Sequence, residues 1–266
     1  MEIIYIKYIN MLNIFVSSPL DQFEIKTFWG FVTPFFNLSV LNVTNFALYS
    51  FIVLIVIMAM WLLTNNNNKI IGSKSFLINE VIYDTILGMT KSQIGGKAWG
   101  IFFPLVYTFF MFIFTANLIS MIPYSFALTS QMIFVISLSF VIWGGVTILG
   151  LYKHKLVFFS LFVPLGTPLP LVPLLALIEL LSYSARAISL GLRLTANVMS
   201  GHLLMIILGG LLFTFMSLSL ITFIIGLIPL AAVYAIMMLE FAISIIQAYV
   251  WAILTCNYLK DAIYLH

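Results

Sequence analysis

The sequence predicts an all-α, polytopic membrane protein. It has five membrane-crossing helices, one interfacial amphipathic helix and a long, tilted C-terminal helical hairpin. Three observations predict this. Of 266 residues, 63% are hydrophobic and 7% charged, against about 25% charged in a soluble domain. Apolar runs long enough to cross a bilayer alternate with short polar connections. From residue 174 to 259 the chain is almost continuously apolar, too long for one crossing, so it must fold back on itself. Residues 18–266 read as a single membrane domain.

Residues 1–17 are apolar with one Glu and one Lys, and are too short to span. Residues 18–45 mix Asp21, Glu24 and Lys26 with Phe23, Phe28, Trp29 and Phe31, which suits an interfacial segment. Residues 46–64 form the first span, stopped by Asn65–Asn68 and Lys69. In residues 75–97, Glu80, Asp84, Lys91 and Lys97 alternate with Phe76, Ile82, Ile86 and Leu87. That pattern predicts an amphipathic helix lying on the membrane, the alternative being a solvated loop with some helix. Residues 98–152 form a helical hairpin. Its first arm ends at Pro123 and tolerates a kink at Pro104; its second is closed by Lys153, His154 and Lys155. Pro164, Gly166, Pro168, Pro170 and Pro173 mark a loop. Residues 171–262 form the second hairpin, with its turn expected between Gly209 and Ser219.

Basic residues orient the chain. Lys69, Lys74, Lys91, Lys97, Lys153, Lys155 and Lys260 all fall on one side if there are five crossings. By the positive-inside rule that side is the inner one, which puts the N-terminus outside and the C-terminus inside. A net charge of +3 is too small to argue for nucleic acid. The single cysteine, Cys256, excludes an internal disulfide and reads as a packing residue. Three histidines, of which only His202 lies in a span, cannot supply paired haem or copper ligands. Gly95, Gly96 and Lys97 lack the first glycine of a phosphate-binding loop. The chain is therefore read as carrying no cofactor, metal or nucleotide.

Residues 179–202 are the chemical centre. On a helix, Glu179, Ser182, Arg186, Ser189, Arg193 and Asn197 fall at steps of three and four and share one face. His202 lies roughly 180° around from Arg193, and Glu179 and His202 are about 35 Å apart along the axis. The second arm repeats the pattern with Glu240, Ser244 and Gln247. Ionisable groups at membrane depth are costly and mark function. A guanidinium stays charged, so Arg193 can hold an opposing carboxylate ionised. On the residues alone, an internal ion pair of Arg193 with Glu179 or Glu240 is the competing reading. Histidine beside a carboxylate can pass protons near neutral pH, which pairs His202 with Glu240.

The run from Ser189 through Arg193 and Asn197 to Gly201-His202 resembles the ion-conducting subunit a of rotary F-type ATP synthases. So do Glu240 to Gln247 and the run Asn117 to Tyr124. The resemblance spans Ser18 to His266, and its detail is similar to the fungal mitochondrial type. It implies a stator proton channel in the mitochondrial inner membrane, with two offset half-channels. It implies partners in the c-ring, the peripheral stalk, other membrane-sector subunits and the bilayer, and a catalytic site for ATP elsewhere in the complex. Arg193 is then the essential cation facing the c-ring carboxylate, Glu179 the inner-side path, and His202 with Glu240 the outer relay, lined by Asn197 and Gln247. Arg186 either assists at the rotor face or pairs with Glu179 or a lipid headgroup. Asp261 either serves a path or is a solvated charge after the last helix. The resemblance also implies removal of residues 1–17 as a leader; otherwise they persist as an N-terminal arm.

Two other readings compete. A self-contained proton-coupled transporter would need an inverted repeat, and the arginine stretch has no second copy. A structural subunit of a respiratory complex would not require two arginines aligned with Glu179.

Overall fold

The computed structural model describes residues 20–29, 43–64, 74–96, 98–122, 125–162, 169–218 and 226–264. The expected leader, residues 1–17, lies outside them, as do Lys69 and Lys97. Among the described residues there are six α-helices: α1 (Asn45–Thr64), α2 (Lys74–Ile94), α3 (Trp99–Ser120), α4 (Met132–His154), α5 (Val172–Leu218) and α6 (Leu227–Ile263). All except α2 are long and apolar enough to cross a membrane. The all-α polytopic fold expected from composition is the fold observed.

Helix α5 has 47 residues and α6 has 37, about 70 and 55 Å at 1.5 Å per residue. A hydrocarbon core is about 30 Å thick, so neither helix fits upright within it. Pro173 and Pro229 sit in the first turns of α5 and α6, where a missing N–H costs no helical hydrogen bond. Residues 209–218 of the expected turn are helical. Gly209 and Gly210 lie inside α5, which stays helical to Leu218. Each glycine costs about 1 kcal/mol in a helix. Opening the backbone in an apolar setting would cost several kcal/mol per unpaired group, so the helix continues.

The core forms where α2, α3, α4, α5 and α6 meet. Ala248, Trp251, Ala252, Cys256, Val106 and Leu194 are fully buried there. Small residues on α6 let the helices approach closely. A Cβ added at Gly191 of α5 would lie 2.9 Å from Ser139 Oγ and 3.1 Å from Ile136 Cα of α4. Only glycine permits that crossing. Outward faces are apolar, with Ile133 88% and Ile101 78% exposed, as expected of surfaces solvated by lipid or other chains.

Helix α2 buries Ile86, Met89, Thr90 and Ile94, at helical spacing, against the core. Glu80, Asp84 and Lys91 point outward. It packs on α1, α3 and α6. The end of α4 meets the end of α6: Lys153 Nζ donates to the Ile263 carbonyl at 3.1 Å, and His154 Nε2 lies at the same distance. Cationic groups are favourable at a helix C-terminus, whose last carbonyls lack helical donors.

One departure from the all-α expectation lies in the interfacial segment. β1 (Thr27–Trp29) pairs antiparallel with β2 (Val43–Thr44), Thr27 opposite Thr44 and Trp29 opposite Val43. Thr27, Val43 and Thr44 are β-branched and favour the extended chain. The pairing leads directly into α1, where the Asn45 N–H donates to the Lys26 carbonyl at 3.0 Å.

Candidate functional site

Helix α5 has two faces. Tyr183, Ala187, Leu190 and Leu194, at steps of four and three, are buried against the bundle. The polar stripe lies about 100° around the helix from that face: Ser182, Ser189, Arg193 and Asn197 are exposed, and Glu179 and Arg186 half-buried. Ser189 and Arg193 therefore face out of this chain, while Arg186 and Asn197 reach α6.

Before Arg193 lies a charged cluster. Arg186 Nη1 donates to Asp261 Oδ2 at 3.1 Å, and Arg186 Nη2 is 3.9 Å from Glu179 Oε1. The Tyr258 hydroxyl donates to the Arg186 carbonyl at 3.4 Å. Asp261 does not follow the last helix as expected; it lies within α6, which runs to Ile263. There it is one of two carboxylates holding Arg186, because Tyr258 and Asp261, three residues apart, share the α6 face against α5.

After Arg193 lies a cavity of about 240 Å³ between the two arms. Asn197, Gly201 and His202 of α5 line it with Glu240, Ser244 and Gln247 of α6. Asn197 Nδ2 donates to Gln247 Oε1 at 3.2 Å. Glu240 Oε1 and Gln247 Nε2 are buried and make no hydrogen bond among the described residues. The lining is mixed, with Val198, Leu204, Leu239 and Ile243 beside the polar groups, and buried polar atoms without a partner are the places where ordered water binds. Gly201 is essential to this geometry. A Cβ there would lie 2.8 Å from Glu240 Cδ and 3.0 Å from Cγ, so the carboxylate occupies the space a side chain would take. The Phe23 ring meets the His202 ring edge to face, centroids 6.4 Å apart.

Arg193 stands between these groups, seven residues after Arg186 and four before Asn197. Among the described residues it has no ion-pair partner. Neither Glu179 nor Glu240 takes it, so the internal pairing weighed from sequence is not formed.

The matching family model is that described as ATP synthase A chain, over residues 47–260. An ATP synthase subunit a of Kluyveromyces lactis is 69% identical over 256 residues, 96% of this chain and 100% of the relative. That of Saccharomyces cerevisiae is 66% identical over 257 residues, 97% and 99% of the two chains. That of Yarrowia lipolytica is 46% identical over 255 residues, 96% and 100%. The chain belongs to the ATP synthase subunit a family, in its fungal mitochondrial form. As a subunit a, it is a multi-pass inner-membrane protein with the proton-channel role of the membrane sector, and its partners are other ATP synthase subunits.

Within this subunit a, the structure brings His202, Glu240, Asn197 and Gln247 to one cavity, and Arg186, Glu179 and Asp261 to one cluster. It joins neither group to Arg193 by an ion pair. The sequence singled out Asn117 only as the start of a motif and gave it no role. Its fully buried side chain donates Nδ2 to the Ser244 carbonyl at 3.2 Å, tying α3 to the cavity wall. An amide deep inside an apolar span was the available signal.

Proposed function

We propose that Arg193 faces the membrane-buried carboxylate of a rotating c-ring and separates two proton half-channels. The observation that carries this reading is an exposed guanidinium on an apolar helix with no carboxylate of its own chain in ion-pair range among the described residues. A cation at membrane depth is expensive unless paired, so its counter-ion belongs to a neighbouring chain.

The outer half-channel runs through the cavity of His202 and Glu240, with Asn197 and Gln247 as polar lining. Glu240 supplies a carboxylate whose Oε1 has no hydrogen-bond partner among the described residues, and His202 supplies two ring nitrogens, one of which can take a proton while the other gives one. The inner half-channel runs past Glu179, Asp261 and Arg186. A protonated rotor carboxyl can move through lipid because it is neutral. Beside Arg193 its charged form is favoured, so it releases its proton to one path. Once past Arg193 it is reprotonated from the other. Arg193 keeps its own proton throughout and blocks direct flow between the paths.

The N-terminus faces the intermembrane space and the C-terminus the matrix, with the basic loops inside. The contact of Lys153 and His154 with Ile263 supports this, because it gathers two basic connections at one end. The peripheral stalk is the second partner class.

Cysteine cross-linking tests the central contact. Ser189→Cys and Ala196→Cys lie on the exposed stripe and should cross-link to cysteines flanking the rotor carboxylate. Ile133→Cys, on the outer face of α4, should not. Cross-links from position 133 with none from 189 or 196 would overturn the reading.

A further inference from the structure

The interfacial segment touches the conducting hairpin through a ring contact, and that contact is on His202. Phe23 ends a short 3-10 turn, Asp21–Phe23, and its ring lies 6.4 Å from the imidazole at an interplanar angle of 74°. A second contact fixes Phe23 in place: Gln131 Nε2 donates to its carbonyl at 2.7 Å. Gln131 precedes the first turn of α4 and follows the buried turn Leu128–Ser130. That turn packs against α1, α3, α4 and α5. Phe23 is thus pinned to the bundle from two sides.

We infer that Phe23 is a positioning residue for the outer proton path, and that Gln131 holds it there. This rests on the half-channel reading of His202. An imidazole can accept a proton at one nitrogen and release one at the other only if each nitrogen faces the right neighbour. His202 lines the cavity with Glu240 on one side and meets the Phe23 ring on another. An edge-to-face pair prefers one relative orientation over others by roughly two- to ten-fold. Phe23 therefore biases the imidazole toward the orientation that addresses the cavity. Leucine has comparable apolar bulk but no ring, so it cannot replace the bias. Tyrosine keeps the ring.

The test is proton-driven ATP synthesis in the intact, reconstituted complex, with ATP hydrolysis by the soluble part and assembly yield as controls. Phe23→Ala and Phe23→Leu should each slow synthesis by roughly two- to ten-fold at unchanged assembly, and Phe23→Tyr should restore it. Gln131→Glu keeps the shape of the side chain but loses the donated hydrogen, and should reproduce the Phe23→Ala loss. His202→Leu is the background that separates this inference from the reading beneath it. If His202→Leu alone leaves synthesis unaltered, the relay reading fails. If His202→Leu slows synthesis and Phe23→Ala slows it further by the same factor as in the parent, Phe23 acts elsewhere and the inference is overturned. The expected result is no further loss in the double variant, since coupled residues do not add. Full synthesis with Phe23→Leu would also overturn it.

Discussion

Asn197 donates its side-chain amide to Gln247 at 3.2 Å, bridging the two long helices one turn beyond Arg193. The bridge holds the wall of the cavity lined by His202 and Glu240 at a fixed distance from the cation. Gln247 is 5% exposed, so losing its partner leaves a buried amide unpaired. Asn197→Ala should destabilise the hairpin by about 1–3 kcal/mol. Thermal dissociation of the purified complex checks this; an unchanged midpoint would mean that water replaces Asn197.

Gly201 is predicted to tolerate no side chain. Its Cβ would meet the Glu240 carboxylate, and the carboxylate must swing into the cavity or the helices must part. Gly201→Ala should cut proton-driven synthesis several-fold, and Glu240→Asp, which shortens the side chain by one methylene, should partly rescue it. Glu240→Gln keeps the length and should not. The three reconstituted variants are compared by synthesis rate at equal assembly.

Arg186 and Asp261 are predicted to act as a unit. Each side chain is 37% exposed, so the pair contributes on the order of 1 kcal/mol rather than the larger value of a fully buried one. Arg186→Gln and Asp261→Asn should each reduce synthesis, and the double variant should lose less than the product of the two. A double-mutant cycle in reconstituted vesicles reads the coupling; strictly multiplicative losses would separate the residues.

Much of this arrangement was legible in the sequence because it is local. Glu179, Arg186, Arg193 and Asn197 follow the helical period, so their common face is arithmetic on one helix. The five spans follow from composition and length. What was not legible is what distant segments do to each other. Arg186 and Asp261 are separated by 75 positions, and no spacing rule links them. Gly191 and Gly201 look alike as residues, yet one admits α4 and the other the Glu240 carboxylate. Gly209 and Gly210 looked like a turn because glycine breaks helices in water; in an apolar setting the helix keeps them. The meeting of Phe23 with His202 depends on how the interfacial segment returns to the bundle, which the local pattern does not encode.

Topology has a separate prediction. A cysteine at Ser125, the partly exposed residue of the connection before α4, should react with a membrane-impermeant reagent from the intermembrane-space side, and cysteines at 153–155 only from the matrix side. Labelling of both from the same side would contradict the five-crossing account.

The most direct test is Arg193→Ala. Alanine preserves the helix, so the variant removes the cation and little else. In vesicles carrying the reconstituted complex, ATP synthesis and passive proton permeability are measured under an imposed potential. Each proton carries about 2.3 kcal/mol per 100 mV, which a leak dissipates without rotation. Coupled synthesis should stop while permeability rises. Arg193→Lys should not restore full function, because a buried lysine can shed its proton and lacks the rigid donor fork. Near-normal coupled synthesis with Arg193→Ala would contradict the role assigned to this residue.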